Sequence, residues 1–121
     1  MSTKTILSVG QCDMDHGSIS RLIGTLGGEV RRVHTAQEAL AHVASGSFAL
    51  VLVNRVFDLD GGDGQSLIRT IKAQNPNLPV MLVSNFADAQ ATAQAAGAEP
   101  GFGKAALQSP ETAERLRKYL S

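Results

Sequence analysis

Apolar positions along this chain fall into short unbroken runs separated by stretches with helical spacing, with glycine, proline and asparagine at the joints. The most apolar run, Phe48-Ala49-Leu50-Val51-Leu52-Val53, closes on the polar pair Asn54-Arg55. A turn-rich stretch follows, Val56-Phe57-Asp58-Leu59-Asp60-Gly61-Gly62-Asp63-Gly64. A β-branched run without alternation suits a strand covered on both faces, at the centre of a parallel sheet. Thr5 to Val9 predicts a first strand that ends at Gly10-Gln11, and Pro79 to Ser84 a further buried strand, again with a polar end. Glu29 to Val33 is more polar and suits an outer position. Glu99 to Gly103 predicts a short fifth strand weakened by Pro100 and two glycines.

Helical periodicity fills the gaps. Ile19, Leu22, Ile23 and Leu26 stripe a helix from Gly17 to Leu26, stopped by Gly27-Gly28. Thr35-Ala36-Gln37-Glu38 has the form of a capping box and opens a helix that runs through Leu40 and Val43 to about Ser45-Gly46. Leu67, Ile68 and Ile71 mark a third helix, closed by Asn75-Pro76-Asn77. Ala87 to Ala96 has high propensity but a thin apolar stripe. Ser109-Pro110-Glu111 starts a final helix that buries Leu116 and Leu120. Strict βα alternation argues for a parallel sheet with helices on both faces, in one domain over residues 1–121. Ligands of such sheets bind outside the strands' carboxyl ends, which puts Asn54 where chemistry is expected.

Composition narrows the classes. The 121 residues carry no net charge, with 43% apolar and 18% charged positions, as in a folded globular chain. The absence of a basic run argues against a nucleic-acid surface, and no apolar stretch approaches the ~20 residues of a membrane helix. Met1-Ser2-Thr3-Lys4 leads straight into a strand without a leader pattern, and a single cysteine fits a reducing cytoplasm.

Several segments act together as anchors: Ile6-Leu7-Ser8-Val9, Leu50-Val51-Leu52-Val53, Asp63-Gly64, Pro79-Val80-Met81-Leu82-Val83-Ser84, Ala96-Gly97-Ala98 and Lys104. In this order and spacing the chain resembles the receiver domain of two-component response regulators, the CheY-like family, over essentially its whole length. The resemblance implies a flavodoxin-like (βα)5 fold, a doubly wound five-stranded parallel sheet between two helical layers. It also implies a phosphoacceptor aspartate after the third strand and an acidic pair for Mg2+ after the first. A Ser or Thr after the fourth strand and a Lys after the fifth would hold the phosphoryl oxygens. Matched residue by residue, the acceptor position is Asn54, and the acidic pair falls on Gly10 and Gln11. Ser84 and Lys104 are retained, Gly101 stands where the family has an aromatic, and Ala105 replaces a proline.

An amide is not a useful nucleophile toward phosphorus. Mg2+ sites rely on carboxylates, and Gly10, Gln11 and Asn54 supply none. The expectation is therefore a pseudo-receiver: no cofactor, no metal, no enzymatic activity, and a role in binding another signalling protein or a second copy of the chain. By resemblance, the partner surface would use the fourth helix, fifth strand and fifth helix, with Phe102, Tyr119, Arg115 and Lys118. Against this, Phe102 would serve equally as a core plug.

Rival readings attach to specific residues. Asp58, Asp60 or Asp63 would be a displaced phosphoacceptor, although as a calcium loop the series fails, with Asp63 where glycine is needed and Arg69 where glutamate is needed. Cys12 sits after the first strand, where some phosphocarriers place a reactive thiolate, but Asp13 and Asp15 would repel phosphate. Asp15 or Ser18 is the expected cap of the first helix, with a fold-back of Asp13 or Asp15 onto Lys104 as the lesser option. Lys104 is expected in water or on Asn54, and Ser84 on a backbone group, with a residual anion hook formed by Lys104 and Ser84 as the lesser option. His16, His34 and His42 lack metal-ligand spacing.

Overall fold

The structure, a computed structural model, describes residues 3–121; the reading of Met1 and Ser2 as a direct lead into the first strand lies outside them. Five strands form one sheet: β1 (Thr5–Val9), β2 (Glu29–Val33), β3 (Leu50–Asn54), β4 (Val80–Val83) and β5 (Glu99–Phe102). Their order is β2-β1-β3-β4-β5, with parallel pairing throughout. The chain winds outward from β1 toward β2, then returns to β3 and winds the other way. The switch lies between β1 and β3, whose carboxyl ends therefore open side by side.

Both faces of the sheet are covered. Val51 and Val53 point into one core, with Leu7, Val9, Leu67, Ile68 and Ile71. Leu50 and Leu52 point into the other, with Ile6, Ile19, Ile23 and Leu116. Helices α2 (Ala36–Ser45), α3 (Gly64–Gln74) and α4 (Ala87–Ala95) cover the first face. Helices α1 (Asp13–Thr25) and α5 (Pro110–Leu120) cover the second. This two-sided burial explains why β3 lacks alternation: every residue from Leu50 to Asn54 is buried. β2, at the edge, alternates instead.

One expectation changes. Helix α1 begins at Asp13 rather than Gly17, because Cys12 caps it: its Sγ accepts from the Asp15 amide at 3.5 Å, and neither Asp15 nor Ser18 is the cap. β5 does pair with β4, but the ladder shifts register between Met81 and Val83. There the Gln90 side chain substitutes for the missing backbone pairing. Its Nε2 donates to the Leu82 carbonyl (2.8 Å) and the Ser84 carbonyl (3.1 Å), and its Oε1 accepts from the Gly101 amide (3.2 Å). Helix α4 buries only Ala93, so this amide, together with the Gln65 Nε2 bond to the Ala89 carbonyl (2.8 Å), ties a weakly amphipathic helix to the body. Among the described residues no helix is long and apolar enough to cross a membrane.

Candidate functional site

The carboxyl ends of β1, β3 and β4 and the segment after β5 bring Gly10, Gln11, Asn54, Ser84 and Lys104 to one edge of the sheet. Asn54 ends β3 and is 7% exposed, and its Nδ2 donates to the Gly10 carbonyl at 2.9 Å. The same carbonyl accepts the Asp58 amide at 3.0 Å. One residue of the expected acidic pair is thus a backbone acceptor already holding two donors. The amide is what makes this bond possible, since an ionised carboxylate has no proton to donate.

Gly10 is held in place from two sides. Its φ is +78°, in the left-handed region that favours glycine. A Cβ there would run into the ring of Phe57, which is 2% exposed and wedged beneath the β3–α3 loop. Phe57 occupies the space that a carboxylate at position 10 would need. Gln11 is 1% exposed; its Nε2 reaches the Val9 carbonyl only at 3.5 Å, and its Oε1 has no partner. Neither position offers an anionic oxygen, so the residues present do not fit Mg2+.

Lys104 does not rest on Asn54. Its Nζ pairs with Asp15 Oδ2 at 2.7 Å, across the first turn of α1. Cys12 donates its thiol to the same oxygen at 3.2 Å. Burial raises the Asp15 pKa, but the hydrogen bonds from Lys104 and Cys12 and the Lys104 charge outweigh it and hold the carboxyl below its ordinary value. Asp13 turns the other way, to Arg32 at 2.7 Å, while Arg32 also donates to the Gln11 carbonyl at 3.0 Å. Ser84 Oγ accepts the Phe86 amide at 3.1 Å, a strand-end turn.

The rival phosphoacceptors have local roles. Asp63 caps α3 by accepting the Gln65 amide (3.1 Å), and Asp60 accepts the Gly62 amide (2.9 Å). Asp58 is exposed. On the α4–β5–α5 face, Phe102 is 3% exposed and belongs to the core, so it offers no aromatic anchor to a partner. Tyr119 donates its hydroxyl to Glu99 at 3.2 Å, Lys118 lies over the Tyr119 ring at 5.6 Å, and Arg115 donates to the Gly101 carbonyl. The aromatic expected near Lys104 is excluded at position 101, because a Cβ there would collide with the Leu82 carbonyl and crowd Gln90.

Beside Asn54 opens a pocket of about 270 Å³ walled by Arg55, Val56, Ser84, Asn85, Phe86 and Lys104. The Arg55 guanidinium lies 4.9 Å from the centre of the Phe86 ring. Neither Arg55 nor Phe86 stood out in the sequence. The available hint was position alone, a cation and an aromatic just past the ends of two buried strands.

Solved structures share this fold. A putative response regulator from Chloroflexus aurantiacus superposes with a TM-score of 0.84 at 21% identity, covering 98% of each chain. A response regulator from Thermotoga maritima gives 0.78 at 22% identity, also covering 98% of each. The fold is that of a response regulator receiver domain. A third receiver-like neighbour, a response regulator protein from Burkholderia pseudomallei (TM-score 0.73, 22% identity, 98% of this chain and 66% of that one), was solved with a phosphorylated aspartic acid, a calcium ion and citrate. No family model and no curated protein matches the chain.

Proposed function

We propose that residues 1–121 form a single receiver-like unit that has lost phosphoryl transfer and acts as a phosphorylation-independent interaction module in two-component-type signalling. The observation that carries this is the Asn54 amide donating to the Gly10 carbonyl at 2.9 Å. Where the receiver fold places an acceptor carboxylate facing a metal, this chain has a closed side chain–backbone bond. The neighbouring Gly10, backed by Phe57, supports the same reading, because the site lacks both nucleophile and metal ligands.

A module without chemistry acts through what it binds, so its partner is another signalling protein, with a second copy of the chain as the simplest case, rather than nucleic acid or membrane. Its cofactor requirement is none, and its setting is the cytoplasm. Incubation with acetyl phosphate and Mg2+ followed by intact mass measurement tests the reading. An unchanged mass is expected. An acid-labile gain of one phosphoryl group would overturn it. Loss of that adduct in Cys12→Ala, or in a variant of Asp58, Asp60 or Asp63, would assign the acceptor.

A further inference from the structure

The exposed large apolar side chains among the described residues are Met14, Val56, Leu59 and Phe86. All of them lie at the carboxyl edge of the sheet: Met14 in the first turn of α1, Val56 and Leu59 in the β3–α3 loop, Phe86 in the β4–α4 loop. None is on the α4–β5–α5 face, whose Phe102 is buried and whose Tyr119 and Arg115 are engaged within the chain. Val56 and Phe86 also wall the pocket beside Asn54.

The rest of that pocket is rich in donors. Arg55 and Lys104 line it and no carboxylate does. Ser84 uses its hydroxyl only as an acceptor, and Asn85 uses only its oxygen, toward the Ala105 amide at 3.0 Å. The Lys104 ammonium has three protons and one salt-bridge partner, Asp15. Asp58, Asp60 and Asp88 stand on neighbouring segments, exposed and outside the lining. Asn54 itself adds no charge at the spot where an aspartate would repel an incoming anion. The substitution that removes the chemistry also leaves the pocket complementary to acid, next to an apolar shelf.

We infer that this edge is the docking surface of the module, and that its occupant is an acidic protein segment. One carboxylate of that segment enters between Arg55 and Lys104 while flanking apolar side chains rest on Phe86 and Val56. The inference rests on the interaction-module reading and names where and what the module binds. Charge complementarity chooses the partner's chemistry, and the apolar shelf chooses a peptide over a free anion.

The test is a 15N–1H NMR titration of the whole chain with a blocked peptide, acetyl-Leu-Glu-Phe-amide, its Gln counterpart, and inorganic phosphate. Saturable shifts are expected at the amides of Arg55, Val56, Ser84, Asn85, Phe86 and Lys104. Removing the peptide's carboxylate should weaken binding roughly tenfold, the equivalent of one charge-assisted contact. Arg55→Ala and Phe86→Ala should each weaken it similarly, whereas Tyr119→Phe should not. Both altered side chains are exposed, and the spectra themselves report whether each variant is folded. Equal binding of the Glu and Gln peptides, shifts centred on α5, phosphate binding as tightly as the peptide, or no shift at all would each overturn the inference. These outcomes do not depend on the acetyl phosphate experiment, so the surface and the loss of chemistry can fail separately.

Discussion

Replacing Gly10 by aspartate is the substitution that would begin to rebuild an acidic pair, and the structure sets its cost. The backbone at φ +78° places any L side chain in the left-handed region, a penalty of about 1–2 kcal/mol. The new Cβ would also meet the buried Phe57 ring, and forced overpacking of a filled site costs about 1–3 kcal/mol. Gly10→Asp should therefore lose about 2–5 kcal/mol, a large part of the ~5–15 kcal/mol typical of a domain. Urea unfolding followed by circular dichroism reads this directly. The two contributions separate in a double-mutant cycle with Phe57→Ala. Without the ring, the cost of Gly10→Asp should fall to the backbone part, about 1–2 kcal/mol. A Gly10→Asp protein as stable as the parent, or an equal cost in both backgrounds, would show that Phe57 does not block the position.

Further outcomes follow from neighbouring contacts. Asn54→Asp should remain unphosphorylated by acetyl phosphate and should lose about 1–3 kcal/mol in urea, because it leaves the Gly10 carbonyl facing a carboxylate. Asp15→Asn should lose about 1 kcal/mol at neutral pH, since the pair with Lys104 is only partly shielded. The Asp15 pKa is depressed in the folded state, so this contribution is present above the ordinary carboxylate pKa and is lost as pH falls through the folded value. Parent and Asp15→Asn should converge in acid, as their urea midpoints measured across pH would show. Gln90→Ala strands the Gly101 amide and two carbonyls, and should cost about 2–3 kcal/mol with faster hydrogen exchange at Gly101.

Much of this was legible in the residues. Leu50 to Val53 lacks alternation because both faces are covered, and that pattern alone placed the strand at the centre of the sheet. The start of α1 was not legible: Asp13-Met14-Asp15-His16 has no apolar stripe, and a cysteine is not an expected cap. Asn54 stood out in the sequence as an amide where the resemblance implies an acceptor aspartate, but its bond to Gly10 links residues 44 positions apart, which only the winding of the sheet brings together. Phe57 read as part of a turn-rich stretch, while in the fold it fills the place behind Gly10. The Asp15–Lys104 pair was the less favoured of two arrangements, because a carboxylate near a helix start usually caps it and here the thiol of Cys12 had taken that role. Phe102 illustrates a general ambiguity: an aromatic on the last strand suits a core or a surface equally until the packing of Leu116 and Met81 against it is known.

The proposal stands or falls on whether the pocket at the end of β3 can hold Mg2+, because Gly10, Gln11 and Asn54 carry no charge and supply no carboxylate. An NMR titration of the chain with Mg2+ reads that set without reference to any phosphodonor. The amides of Gln11, Asn54 and Arg55 are expected to stay in place beyond the uniform drift caused by added salt. Saturable shifts confined to those residues would contradict the claim, because they would show an ion held where the structure offers it no anionic oxygen.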